Sequence, residues 1–286
     1  MKSFSLIGAG KVGVSLGLAL VNKCYRLKYI SDCNSEAARQ AKRRIKQGKT
    51  TRDNRQAAEA AEITFICVPD GLIAEVANEL SDLNLGGKYI FHTSGAVSSS
   101  VLLPLARQGA YVASMHPIQT FATGRANPDI FRGIFFGLEG NQKALGLGQS
   151  LAKKLQAGVI LISPENKALY HLACSMASNF MVVLLSEVKD LFKLLGLEEK
   201  AYLEVIYPLL NRTLLNVIEL GCERSLTGPV LRGDLETVRE HLKVISQKPD
   251  LEKLYRLMSL EALKVAEKRG LSASKVKALK RLLEQK

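Results

Sequence analysis

The stretch LIGAGKVGVSLG, residues 6–17, decides how the chain begins. The β-branched and aromatic run SFSLI leads into it, and a helical pattern follows, so Gly8, Gly10 and Gly13 stand at a strand-to-helix turn. In that position the first glycine permits a tight turn, the second lets a pyrophosphate approach the backbone, and the third lets helix and strand pack closely. Lys11 and Val12 complete the first turn of the helix, whose free N–H groups and positive dipole end receive phosphates. A glycine turn alone says little. Here Asp32 closes the next strand-like run, LKYIS, 19 residues beyond Gly13, which is the spacing expected of a group that meets the adenosine ribose. No Gly-Lys-Ser/Thr follows, which excludes a nucleoside-triphosphate loop. The expected ligand is a nicotinamide dinucleotide, NADP or NAD. Asp32 would accept bonds from a ribose diol and repel a 2'-phosphate, whereas Arg39, Lys42 and Arg43 either meet that phosphate or form a solvated helix face.

Outward from this turn, short apolar runs alternate with helical stretches up to about residue 163. EITFICV is continuous enough for a strand buried on both faces, and KYIFHT, AYVASM and GIFFGL supply further strands. Helices are expected over residues 35–47, 71–80 and 101–107. The pattern predicts an α/β fold with a doubly wound, mostly parallel sheet. After VILISP nearly everything has helical period, with breaks expected near Gly196, Pro208, residues 221–234, Pro249 and Gly270. This places a dinucleotide-binding domain at 1–163 and a smaller all-helical domain for substrate binding and dimerisation at 164–286.

Composition narrows the function classes. Of the 286 residues 47% are apolar and 23% charged, ordinary globular values that exclude disordered and fibrous chains. A net charge of +13 invites nucleic acid, yet there is no Trp, no zinc-finger spacing and no basic patch interleaved with aromatics, so a nucleic-acid partner is not expected. Five cysteines without a C-x-x-C point to the reduced thiols of a cytoplasmic protein. Lys11 interrupts the apolar N-terminus and no small-residue cleavage site follows, which argues against a leader peptide. No uninterrupted apolar run reaches a spanning length, so no membrane partner is expected.

In an open parallel sheet the ligand lies beyond the carboxyl ends of the strands. The segments there are Val68-Pro69-Asp70, His92-Thr93-Ser94-Gly95 and Ser114-Met115-His116-Pro117. Asp70 also suits a helix cap, Thr93 and Ser94 also suit a turn, and either histidine also suits a satisfied loop position. Further on, KALYHLACSMASNF, residues 167–180, carries Lys167, His171, Ser175 and Asn179 at every fourth position among aliphatics. Each step of four advances such a stripe by ~40° and ~6 Å. Lys167 and His171 then stand side by side and Ser175 shares their pocket, while Asn179, ~18 Å from Lys167 along the axis, meets another part of the substrate or cofactor. Hydride delivery to a C=O or C=N makes the product atom basic, and a lysine or histidine is a suitable proton donor. His116 and Ser175 are the expected substrate contacts beside them.

The motifs GAGKVG, CVPDGLI, HTSGA, ASMHPIQTF, YHLACSMASNF and SLTGPVLRGDLETVREHL carry a resemblance over nearly the whole length. The chain resembles bacterial proteins in which a Rossmann-like NADP-binding domain precedes a helical domain of unknown function. More distantly it is similar to ketopantoate reductase, pyrroline-5-carboxylate reductase and the β-hydroxyacid dehydrogenases. The resemblance implies a dimer formed through the helical domain and a catalytic lysine at Lys167; where several relatives carry an asparagine four residues on, this chain has His171. In LTGPVLRGD, Gly228-Pro229 makes a turn, Asp234 can cap a helix at Leu235, and Arg232 is free to clamp a carboxylate. The expected activity is hydride transfer between NAD(P) and a small anionic oxo/hydroxy or imino/amino substrate. The alternative is a non-catalytic dinucleotide-binding or redox-sensing module.

Overall fold

The computed structural model describes residues 2–122 and 127–285. It begins with β1 (Ser3–Ile7), α1 (Lys11–Asn22), β2 (Arg26–Ser31), α2 (Ser35–Ile45), β3 (Lys49–Thr51), α3 (Asn54–Glu59), β4 (Ile63–Ile66) and α4 (Ile73–Glu79). Then come β5 (Tyr89–His92), α5 (Leu103–Arg107), β6 (Tyr111–Pro117), β7 (Phe135–Gly140), α6 (Gln142–Lys154) and β8 (Gly158–Leu161). The strands form one eight-stranded sheet in the order β3-β2-β1-β4-β5-β6-β7-β8, parallel except where β7 runs against β6.

The continuous apolar runs are explained by the two cores they feed. In β4, Ile63 and Phe65 face one core with Phe4, Phe91 and Leu138, covered by α1, α2 and α6. Ile66 faces the other with Ile7, Ile90 and Val112, covered by α3, α4 and α5. Side chains alternate across a strand, so a strand covered on both sides is apolar at nearly every position, the buried Thr64 being the exception in β4. The doubly wound, Rossmann-like reading holds.

The helices after the sheet are α7 (Lys167–Ser175), α8 (Met181–Leu194), α9 (Glu199–Leu220), α10 (Cys222–Ser225), α11 (Pro229–Arg232), α12 (Leu235–Ile245), α13 (Pro249–Lys268) and α14 (Ala273–Glu284). A π-helical turn, Met176–Phe180, joins α7 to α8. Compactness divides the chain into Met1–Phe180 and Met181–Lys286. The sheet thus ends close to residue 163, while α7 and the π turn pack with it. In the second unit Val230, Val238, Leu242, Leu263, Ala266, Leu279 and Leu283 form a separate core.

Several local expectations are corrected. Strand β3 and helix α3 were not anticipated; KTT is short, polar and at the sheet edge, where neither alternation nor burial marks it. Pro208 does not break the chain but lies inside the 22-residue α9. A proline interrupts the backbone bonding locally, and a long helix survives that loss as a bend. Asp70 does not cap a helix: it opens a 3-10 turn capped by Pro69. Finally, the helical stretch Pro164–Leu194 contains an 18-residue window of mean hydropathy 1.6 and is long and apolar enough to cross a membrane by length and composition. The residues that interrupt its first half are mostly Ser, Asn and His, which break the apolar run without adding formal charge.

Candidate active site

The glycine turn is built by backbone constraint. Gly8 has φ 104°, and a Cβ there would lie 2.6 Å from the Cys67 carbonyl oxygen. A Cβ on Gly13 would overlap the Gly8 carbonyl. Gly10 differs: its φ is −70°, and a Cβ would meet nothing within 4 Å. The fold itself does not require that glycine, so the space above it suits a group arriving from outside. No side chain caps α1 and no acid stands in its first turn. Open N–H groups, clear space and an absent carboxylate fit the pyrophosphate of a dinucleotide. Lys11 reaches sideways to the Ala122 carbonyl at 2.8 Å, and Val12 is half-buried behind it. Asp32 turns back on the cradle, its Oδ2 accepting from Ala9 N–H at 2.8 Å. Val68 is half-buried after β4, and Pro69 and Asp70 are exposed beside it.

A second cluster forms past β5 and β6. Lys167 is only 2% exposed; its ammonium donates to the Ser94 carbonyl at 3.1 Å and to Ser114 Oγ at 2.7 Å. Ser114 Oγ in turn donates to the Ser94 carbonyl at 3.0 Å. Burial pulls the Lys167 ammonium down to about 8, against the opposing pull of Glu139 and Asp70. The Ser94 hydroxyl accepts from the Ala96 and Val97 N–H groups, the turn role foreseen for it. His92 is fully buried, accepts from Ser94 N–H at 3.2 Å, and is held down to about 3, first by burial and then by Lys167. It shapes the loop as a neutral ring.

On α7, Tyr170 and His171 meet His116. Tyr170 Oη lies 2.7 Å from His116 Nδ1, and the His116 and His171 rings are 6.3 Å apart at 73°. Burial, then the charges of Lys167 and His171, lower His116 to about 4, and burial raises Tyr170. At neutral pH these two are therefore an uncharged imidazole and a phenol sharing one proton. Two glycines make room: a Cβ on Gly95 would lie 2.8 Å from His171 and 2.9 Å from His116, and one on Gly137 would overlap the Tyr170 hydroxyl.

His116, His171, Ser175 and Asn179 line a cleft of about 640 Å³ with Gln119, Thr120, Phe121 and Ser178. The wider π turn after Ser175 carries Asn179 to the same cleft, so the four-step stripe does not run away from it as a regular helix would imply. Lys167 lies beneath the strand ends and is not part of the lining. Arg232 is exposed at the end of α11 in the second unit, and Asp234 there caps α12 through Thr237 N–H at 3.1 Å, as foreseen. Sequence reasoning missed Tyr170, Glu139 and Gly137 as parts of the site. Glu139 is buried and binds Ser99 through its N–H at 2.6 Å and Oγ at 2.5 Å. A lone acid inside the strand FFGLEG was the signal for it.

Residues 2–117 match the Rossmann-like domain family, and residues 134–262 match DUF2520, a domain of unknown function. Protein TM1727 from Thermotoga maritima is 30% identical and superposes with a TM-score of 0.71, over 93% of this chain and 99% of that one. BF3122 from Bacteroides fragilis, a candidate NADP oxidoreductase, is 25% identical with a TM-score of 0.76, over 92% and 98%. A pyrroline-5-carboxylate reductase from Corynebacterium melassecola is 24% identical over 143 residues, and the match spans about half that relative's length, 53%. A cradle of this kind in a Rossmann-like domain serves NAD or NADP. With a Rossmann-like domain ahead of a DUF2520 domain, and with that identity along nearly all of both chains, the protein belongs to the two-domain family that includes the Thermotoga protein.

Proposed function

We propose that the chain is an NAD(P)-dependent oxidoreductase that moves a hydride between the nicotinamide and a small oxo or imino compound held in the cleft beside α7. The bound dinucleotide supplies the hydride; the chain supplies its cradle, the substrate cleft and a proton. One observation carries the reading: the cradle follows the carboxyl end of β1, and α7 holds Lys167 against the Ser94 carbonyl just past the carboxyl end of β5 and Tyr170 against His116 at the carboxyl end of β6, strands that run the same way as β1 in one sheet. That is the edge at which ligands bind in such folds.

His171 lines the cleft and is assigned as proton donor to the product heteroatom, with the Tyr170–His116 pair beside it. Ser175 and Asn179 orient the substrate from the same wall. Lys167 acts from below as a positioning residue: its charge fixes the Ser94 carbonyl and Ser114 and favours negative charge developing in the cleft. Arg232 carries no part of this assignment.

The names of BF3122 and of the Corynebacterium reductase support nicotinamide chemistry for this chain too. Oxidation of NADH and NADPH against a panel of oxo and imino acids tests the proposal. Turnover of any panel member, lost in His171→Ala with dinucleotide affinity kept, supports it. Dinucleotide binding with no turnover of any member favours the non-catalytic holder. We also propose a second copy of the chain as partner, because Leu169, Leu172, Met176 and Phe180 are each at least half exposed on one helical stretch, and α9 adds Tyr207, Leu209 and Ile218.

A further inference from the structure

We propose that the chain selects NAD(H) over NADP(H), through the loop that joins β2 to α2. This rests on the reading that the cradle after β1 holds a dinucleotide, whose adenosine ribose then reaches the end of β2. That end is Asp32, and its carboxylate is fixed from two sides. Oδ2 accepts from Ala9 N–H at 2.8 Å and Oδ1 accepts from Asn34 N–H at 2.8 Å. Tied to both flanking loops, it cannot swing aside for a phosphate without breaking bonds inside the cradle.

The first amides of α2, which a 2'-phosphate would seek next, are occupied. Asn34 Oδ1 caps α2, accepting from Glu36 N–H at 3.0 Å and Ala37 N–H at 3.2 Å. Glu36 adds a second carboxylate in the first turn, and the Arg43 and Arg39 guanidiniums hold it down to about 2. The same contacts answer the question left by the basic helix. Arg39 Nε sits 3.0 Å and Arg43 Nη2 2.7 Å from Glu36, so both cations are turned toward an acid of their own helix. Lys42 lies seven residues past Ser35, about 10 Å along the axis. A ribose diol has two hydroxyls to donate to Asp32, whereas a phosphate dianion meets a fixed carboxylate and a capped helix end, with the Arg39 and Arg43 guanidiniums already drawn to Glu36. The relative named for NADP, BF3122, is 25% identical, which leaves room for a different loop.

The test is separate titration of the full-length protein with NADH and NADPH, reading nicotinamide fluorescence; the chain has no Trp to confuse the signal. The expected result is a Kd for NADH at least about tenfold below that for NADPH, the scale of two unit charges held near a carboxylate in water. Glu36→Gln, which frees Arg39 and Arg43, is expected to tighten NADPH severalfold and leave NADH unchanged. NADPH binding as tight as NADH, or an NADPH affinity untouched by Glu36→Gln, overturns the inference. Binding of neither cofactor overturns the dinucleotide reading itself.

Discussion

Lys167 shows how one side chain can be readable in type and not in place. The sequence marks it as the start of a polar stripe, but spacing carries no information on depth, and the ammonium lies under the strand ends rather than in the cleft wall. Its charge is present below about pH 8 and lost above, because burial lowers it from the free value of 10.5. A reductive rate that needs this charge therefore declines as pH rises through about 8. Lys167→Met should lower turnover about 100-fold and abolish that alkaline limb, with dinucleotide affinity retained; steady-state rates across pH with parallel binding titrations check it. A flat wild-type profile between pH 7 and 9.5 would sink the role. Tyr170 escaped sequence reasoning because an aromatic three residues past a polar stripe member reads as core packing. Its hydroxyl instead completes the pair with His116, and Tyr170→Phe is expected to reduce kcat with little change in KM for the dinucleotide.

At the scale of elements, the cradle separates architecture from ligand contact. Gly8→Ala forces an L side chain to φ 104° and against the Cys67 carbonyl, so it should cost about 1–3 kcal/mol of stability and weaken binding together. Gly10→Ala should leave the denaturation midpoint unchanged and weaken dinucleotide binding at least tenfold, since its Cβ enters only the space where the phosphates would sit. Denaturant titration beside a binding isotherm distinguishes the two. Such reasoning was open from the sequence because the three glycines, the strand before and the helix after all agree. The fold's less legible pieces lacked that agreement: β3 offers three polar residues and no pattern, and the helix through Pro208 contradicts its local preference. The π turn was invisible because a single wider turn leaves no compositional mark, yet it determines whether Asn179 shares the cleft. Asp234→Ala removes the α12 cap and should cost about 1 kcal/mol without changing cofactor affinity.

At the scale of the whole molecule, the apolar stretch Pro164–Leu194 passes a compositional test for a membrane span. Its polar stripe is engaged elsewhere, Lys167 beneath the strand ends and His171, Ser175 and Asn179 in the cleft, which is why a second copy of the chain is the partner we propose for its apolar face. Light scattering on the purified chain should return twice the monomer mass, and Leu172→Glu with Met176→Glu should return the monomer. A monomer in the wild type would remove the partner copy from the proposal.

The first helix begins without a cap, an arrangement that leaves several amide hydrogens waiting on solvent. Occupancy by a dinucleotide would finish that terminus, so folding and saturation become linked equilibria, and each tenfold excess of ligand over Kd adds about 1.4 kcal/mol to the native state. A melting curve followed at rising dinucleotide concentration would then act as a thermometer of how full the protein is, before any substrate has been identified.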